Sequence, residues 1–163
     1  MNNLLKLPPL SLYIHYPWCL KKCPYCDFNS HDSEIEDGYI QALLKDLDGD
    51  LDYVQQRKIN SIFIGGGTPS LMSIKNITDL FVGLNERLEF SSNIEITLEA
   101  NPGTFEVDRF FEYRNIGINR LSIGVQSFND EQLKFLGRIH SGKEAQDAII
   151  KAQNVGFDNL NID

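Results

Sequence analysis

The sequence predicts an α/β protein whose parallel sheet curls into a barrel with helices outside and a polar lumen. Five short apolar-alternating segments are separated by four helical patterns, giving the order βαβαβαβαβ. Long crossovers of that kind impose parallel pairing and right-handed connections, hence an α/β barrel or a doubly wound sheet. The strands' second faces favour the barrel. One alternate set is apolar (Leu12, Ile14; Ile62, Ile64; Ile94, Ile96, Leu98; Leu121, Ile123, Val125; Leu160, Ile162). The other is largely polar (Tyr13, His15; Glu95, Thr97, Glu99; Ser122, Gln126; Asn159, Asn161, Asp163). A doubly wound sheet buries both strand faces, and a closed eight-stranded barrel fills its interior with aliphatic side chains. A wet, ligand-holding lumen suits the polar set better.

The elements follow in order. The first strand is expected at Leu12–Tyr16, the second at Ser61–Ile64 and the third at Ile94–Glu99. The fourth is expected at Asn119–Val125 and the fifth at Asn159–Asp163. Ile40, Leu43, Leu44, Leu47, Leu51 and Val54 keep one face of the first helix. Ile77, Leu80, Phe81, Leu84 and Leu88 keep one face of the second. A shorter third helix is read around Val107–Tyr113, with Thr104 as its N-cap. A fourth starts at Ser141, where Ser-x-x-Glu with Glu144 makes a capping box, and Gly156 closes it.

Composition narrows the function classes. A length of 163 residues allows one domain with a real core, and 42% hydrophobic with 23% charged residues is globular. The formal charge of −8 argues against sequence-independent nucleic-acid binding, which needs a basic surface. No apolar run approaches the ~20 residues of a membrane helix. The N-terminus does not read as a signal peptide, so a cytoplasmic, reducing setting is expected. There clustered cysteines bind metal or do redox chemistry more often than they pair. Asp163 falls at the end of a strand with no helix after it, so the chain reads as the incomplete N-terminal portion of a longer protein.

The chemistry-bearing motifs lie at the C-terminal ends of the strands, the functional face of a parallel barrel. Cys19, Cys23 and Cys26 follow the first strand, in a loop punctuated by Pro17 and Pro24. An odd number of thiols cannot all pair. Three thiolates can hold three irons of a 4Fe–4S cubane and leave the fourth open to a small ligand. The rival is a Cys3His zinc site completed by His31, five residues beyond Cys26. Gly65, Gly66, Gly67, Thr68 and Pro69 end the second strand, where bare backbone lets a ligand approach. Pro69 breaks the dinucleotide fingerprint and no Gly-Lys-Ser/Thr completes a phosphate loop. Glu99, Gln126 and Asp163 end strands three, four and five, and Arg138 follows strand four. Singly each reads as an ordinary polar residue; together they mark one mouth.

Taken in order, these motifs resemble the radical S-adenosylmethionine (radical SAM) superfamily. Within it the chain is similar to the group of oxygen-independent coproporphyrinogen III oxidases and HemW-like haem chaperones. The resemblance runs through the segments beginning at Tyr13, Cys23, Ile64, Leu98, Ser122 and Leu136, to the closing Asn-Ile-Asp. It implies the N-terminal five strands and four helices of a partial (β/α)6 barrel, with residues 1–163 an incomplete core domain and the C-terminal domain absent. It implies that S-adenosylmethionine (SAM) chelates the open iron through its amino and carboxylate groups. Gly65–Gly67 would lie along the methionine amino group, and Tyr13, Tyr25, Thr68, Glu99, Gln126, Arg138 and Asp163 would surround the cofactor. In the family, an electron from the reduced cluster cleaves the sulfonium C–S bond to methionine and a 5′-deoxyadenosyl radical.

Two departures select a branch. The oxidases usually carry a further cysteine two residues after the third, where this chain has Phe28. They also carry a longer segment before the first strand. Both favour the haem-chaperone branch, which implies haem or porphyrin, a reducing electron donor and a haem-acceptor protein as partners. Whether such a protein turns over SAM stays open, and decarboxylation of coproporphyrinogen propionates is the alternative. None of His15, His31 and His140 is expected to ligate haem, and His15 reads as a lumen residue.

Overall fold

The structure is a computed structural model that describes residues 7–33, 37–103 and 107–163. Its strands are β1 (Leu10–Tyr16), β2 (Ile59–Gly66), β3 (Phe90–Ala100), β4 (Arg120–Ile123) and β5 (Asn159–Ile162). The helices are α1 (Tyr39–Val54), α2 (Ile74–Arg87), α3 (Phe110–Ile116), α4 (Asp130–Phe135) and α5 (Gly142–Asn154). A 3₁₀ turn, Pro69–Leu71, follows β2.

All neighbouring strands pair in parallel, and the sheet order is the chain order, β1-β2-β3-β4-β5. A doubly wound sheet reverses its strand order at a switch point. Here every crossover advances in the same direction, so right-handed connections put all the helices on one face. This is the wall of an open barrel, as the alternation predicts.

The pairing register lines up the two faces. Ile14, Ile64, Leu98, Leu121 and Leu160 form one row across the sheet toward the helices. Ile64, Leu98 and Leu121 in that row are completely buried. Burying one such aliphatic side chain contributes about 1.5–3 kcal/mol, and Leu98→Ala would cost about 2–5 kcal/mol. From the helix side the core receives Ile77, Leu80 and Leu84 of α2 and Ala145, Ala148 and Ala152 of α5. Close approach of α1 and α2 depends on Gly83, where a Cβ would fall 2.4 Å from Leu44 Cδ1.

Caps set the helix ends. The Ser141 hydroxyl accepts from the Glu144 amide while the Glu144 carboxylate accepts from the Ser141 amide, the reciprocal box expected of the sequence. At its other end, Gly156 N–H reaches Gln153 O and Phe157 N–H reaches Ala152 O, a Schellman closure.

The differences from the sequence reading are local. Val107 is helical, but the chain turns at Asp108 and Arg109 before α3 begins at Phe110, and Arg109 Nη1 donates to Met72 O. Thr104, expected to cap this helix, lies outside the described residues. Strand β4 ends at Ile123 rather than Val125, because the chain turns at Gly124 and Gln126 is left-handed with φ 66°. The six-residue α4 was not anticipated; Asn129 caps it by accepting from the Gln132 amide. The second face is also not wholly polar, since Phe63 stacks on Tyr13 there with ring centroids 6.2 Å apart.

Candidate functional site

The cysteine loop leaves β1 after Tyr16 and stays bound to the end of β2. Gly67 N–H donates to Tyr16 O at 2.7 Å and Thr68 N–H to Trp18 O at 2.8 Å, extending the parallel ladder beyond the strands. Trp18 is buried and anchors the loop edge-on against Tyr39, with ring centroids 4.6 Å apart. A Cβ on Gly67 would lie 2.6 Å from Trp18 O, so this glycine is required for the loop to dock. The loop closes on itself where His31 N–H donates to Pro17 O and Cys19 N–H to His31 O, at 2.7 and 2.8 Å. All three cysteines are free and half-buried.

Helix α4 delivers Arg138 to this loop. Gly137 N–H closes on Lys134 O and Arg138 N–H on Leu133 O, a Schellman motif with Gly137 at φ 73°. Arg138 is therefore the residue thrown off the end of the helix into the barrel mouth. Its Nη2 donates to Asn101 Oδ1 and to Gly124 O, both at 2.6 Å, and its Nη1 points to Cys23 Sγ at 3.6 Å. Asn101 in turn donates to Thr68 Oγ1 at 3.1 Å, so the guanidinium ties β4 to the end of β2. The Arg138 Nε is buried without a partner among the described residues. A buried, unpaired donor on a cation is costly, and a ligand acceptor there would offset it.

Glu99 lies opposite. Its Oε2 accepts from Gly66 N–H at 3.0 Å, and burial pushes its carboxyl above the usual range. The Gly66 amide pulls it down, nearby Asp163 pushes it up and His15 pulls it down. His15 bonds Asn29 O through Nε2 at 2.8 Å and the Tyr13 hydroxyl through Nδ1 at 3.0 Å. A carbonyl can only accept, so Nε2 carries the proton and Nδ1 accepts from Tyr13. The Tyr13 phenol is raised by burial and then by Glu99. On the far side the Ser122 hydroxyl reaches Asp163 Oδ2 at 3.5 Å, and Gln126 N–H donates to Asp163 O at 2.8 Å.

These groups enclose a cleft of about 330 Å³. Of the residues singled out in the sequence, Cys19, Cys23, Tyr25, Cys26, Gly66, Gly67, Thr68, Glu99, Gln126, Arg138 and Asp163 line it. Gly65 and Tyr13 are not in its wall. A Cβ on Gly65 would meet Phe63 Cε1 at 2.7 Å and Glu99 Oε2 at 3.0 Å, and Tyr13 sits one step down the barrel beside Phe63. Sequence reasoning passed over Lys21, Lys22 and Ala100, which also line the cleft, and gave no site role to Phe28, Asn101, Ser122 and Gly124. Asn101 and Ser122 had a readable signal, as polar residues at the same C-terminal strand ends as Glu99 and Gln126.

The donor set bears on both metal readings. His31 is exposed and outside the cleft wall. Among the described residues no three His, Cys, Asp or Glu side chains are placed to hold one metal ion. One zinc ion needs its ligands convergent within about 2.3 Å of it, whereas a cubane takes each thiolate on a different iron. Three thiols on one loop can each take a different iron, and the cleft they line also holds carboxylate, amide and guanidinium groups. His140, buried, bonds Val125 O at 3.0 Å and supports the turn into Gln126.

The fold and this cleft define a class, the open parallel α/β barrels with a three-thiol loop at the C-terminal mouth. The Radical SAM superfamily profile matches residues 13–163, and the chain belongs to that superfamily. It is 55% identical over 163 residues to the heme chaperone HemW of Escherichia coli (strain K12), covering 98% of this chain and 43% of that protein. It is 56% identical over 165 residues to the heme chaperone HemW of Haemophilus influenzae, covering 97% and 43%. Among solved structures it superposes on the coproporphyrinogen III oxidase HemN from Escherichia coli with a TM-score of 0.79 and 31% identity. That match covers 94% of this chain and 36% of the oxidase. The chain therefore spans less than half the length of these relatives. Among the described residues no helix is long and apolar enough to cross a membrane.

Proposed function

We propose that this chain is the cluster- and SAM-binding core of a HemW-like haem chaperone. The observation that carries the reading is the shared cleft: three free thiols on one docked loop face Glu99, Asp163, Gln126 and an Arg138 whose buried Nε has no partner among the described residues. Cys19, Cys23 and Cys26 would hold the 4Fe–4S cluster. SAM carries an ammonium, a carboxylate and a sulfonium. The carboxylates of Glu99 and Asp163 and the backbone of Gly65–Gly67 suit its cationic groups, and Arg138 and Gln126 supply donors for its acceptors. Tyr25 and Thr68 would complete the surrounding shell, with Tyr13 further down the barrel bonded to His15. A cluster bound there would supply the electron for any reductive cleavage of SAM. The protein's part is to hold the thiols, orient the cofactor and exclude water around it.

The identity to the heme chaperones, well above that to the oxidase, supports the chaperone branch, as does Phe28 in the cleft wall. Haem would then be cargo. Anaerobic reconstitution with iron and sulfide tests the metal centre, with about four of each per chain expected. A folded protein holding one zinc and no iron would overturn it. Product analysis tests the branch: loss of two propionate carboxylates as CO2 would establish the oxidase reading, and haem transfer without that loss would support the chaperone.

A further inference from the structure

Lys22 lies between the first two cysteines, yet its side chain turns back into the loop it belongs to. Its Nζ donates to Phe28 O and to Ser30 O, both at 3.2 Å. Those carbonyls belong to the returning arm, beyond Cys26. Ser30 is itself buried, and its hydroxyl donates to Phe28 O at 3.4 Å. Below this contact the loop is shut by His31 N–H to Pro17 O and Cys19 N–H to His31 O. The two arms that carry the thiols are thus joined twice, at the base by backbone and across the middle by one ammonium. Lys22 also lines the cleft that the three cysteines face.

We infer that Lys22 is a positioning residue, a clasp that holds the cysteine loop closed before any cluster arrives and leaves a fixed positive charge beside the cluster afterwards. The inference rests on the cluster reading of the site, but its first half concerns the empty protein. Two carbonyls on an otherwise irregular arm are drawn to one donor, and an ammonium makes the stronger, charge-assisted form of that bond. Without it, the Phe28–Ser30 arm loses its tie to the Cys19–Cys23 arm and the base contact alone must hold the loop, so that contact opens more often. The charge has a separate effect. Reduction adds negative charge to the cluster, and a nearby cation favours the reduced form. Between Pro17 and His31 the loop carries two lysines, Lys21 and Lys22, against one carboxylate, Asp27.

Three versions of the whole 163-residue chain test this: the wild type, Lys22→Met and Lys22→Arg. In the metal-free proteins, amide hydrogen exchange is followed at Cys19, Ser30 and His31, with amides of β3 and β4 as internal reference. Losing a hydrogen bond to a charged group shifts an opening equilibrium by about tenfold or more. Lys22→Met should therefore exchange about tenfold faster in the loop alone, and Lys22→Arg should restore protection. Unchanged loop exchange in Lys22→Met would overturn the clasp. Equal acceleration in β3 and β4 would also overturn it, since Lys22 would then be a general stability residue. After reconstitution, the midpoint potential of Lys22→Met should fall below the wild type and that of Lys22→Arg should stay near it. The difference should shrink at high ionic strength. Equal potentials would remove the electrostatic half. A wild type that takes up no iron would contradict the cluster reading and leave the metal-free exchange result standing.

Discussion

The guanidinium of Arg138 lies 3.6 Å from Cys23 Sγ while holding Asn101 and Gly124 O at 2.6 Å each. One side chain thereby ties together the cysteine loop, the end of β3 and the turn after β4. Its position follows from the Schellman closure of α4, whose Gly137 packs where a Cβ would fall 2.8 Å from Pro24 Cδ.

Removing this group separates its two duties. Arg138→Ala deletes two charge-assisted hydrogen bonds, each contributing about 1.5–3 kcal/mol where buried, and strands Asn101 Oδ1 and Gly124 O. Melting should fall by several degrees, at about 2–4 °C per kcal/mol for a domain of this size. SAM affinity measured by calorimetry on the reconstituted protein should fall about tenfold or more. Unchanged affinity would place Arg138 outside the cofactor site.

Two glycines predict opposite signs. Gly67→Ala puts a Cβ 2.6 Å from Trp18 O and 2.8 Å from Pro17 C, backbone atoms that cannot turn aside. Overpacking of this kind costs about 1–3 kcal/mol, and because it pushes on the cysteine loop, iron content after reconstitution should drop as well. Gly49, inside α1, has nothing within 4 Å. Gly49→Ala should stabilise by about 0.5–1 kcal/mol through helix propensity. Thermal melts and iron analysis of the pair read both effects.

Glu99 predicts a pH dependence. Its folded-state carboxyl titrates above the ordinary value of 4.5, mainly because burial disfavours the charge. Above that ordinary value the unfolded chain has released the proton while the folded chain still holds it, so stability falls as pH rises. The contribution is complete below the unfolded value and is lost as pH rises through the raised folded value. Denaturant titrations of the metal-free protein across weakly acidic pH should show this decline. Glu99→Gln keeps an acceptor for Gly66 N–H without the charge and should flatten it. A wild type that gains stability over the same window relative to Glu99→Gln would reverse the sign and refute the assignment.

Glu144 should act in the opposite sense. Its carboxyl is held below the ordinary 4.5 first by the Ser141 amide and then by the Ser141 hydroxyl. Its contribution is therefore present above the ordinary value and lost as pH falls through the lowered one. Ser141→Ala keeps the amide and loses the hydroxyl, so it should weaken that dependence without abolishing it and cost about 1 kcal/mol, the usual effect of losing an N-cap.

Much of this was legible in residue periodicity. Ile14, Ile64, Leu98 and Leu121 alternate with His15, Gly65, Glu99 and Ser122, and a two-residue repeat fixes which set faces the helices. Ser141 and Glu144 announced their capping box by spacing alone. The cysteine spacing marked the loop, but how that loop is held depends on contacts between residues far apart in sequence. Gly67 is demanded by Pro17 and Trp18, some fifty positions earlier, and looked like bare backbone kept for a ligand. Lys22 reads as a solvated lysine until Phe28 and Ser30 carbonyls are seen to converge on it. The six residues of α4 are too few to show a helical period, so the route by which Arg138 reaches Cys23 was invisible. Phe63 was missed because attention to the polar set passed over the one large apolar side chain on that face.

The most direct test of the central claim is EPR of the anaerobically reconstituted, dithionite-reduced protein, recorded with and without SAM. The account predicts a 4Fe–4S signal that changes when SAM is added, because three thiolates leave one iron open to it, and that is absent in Cys23→Ala. A reduced cluster whose signal is indifferent to SAM, or a Cys23→Ala protein with full iron and sulfide, would contradict it.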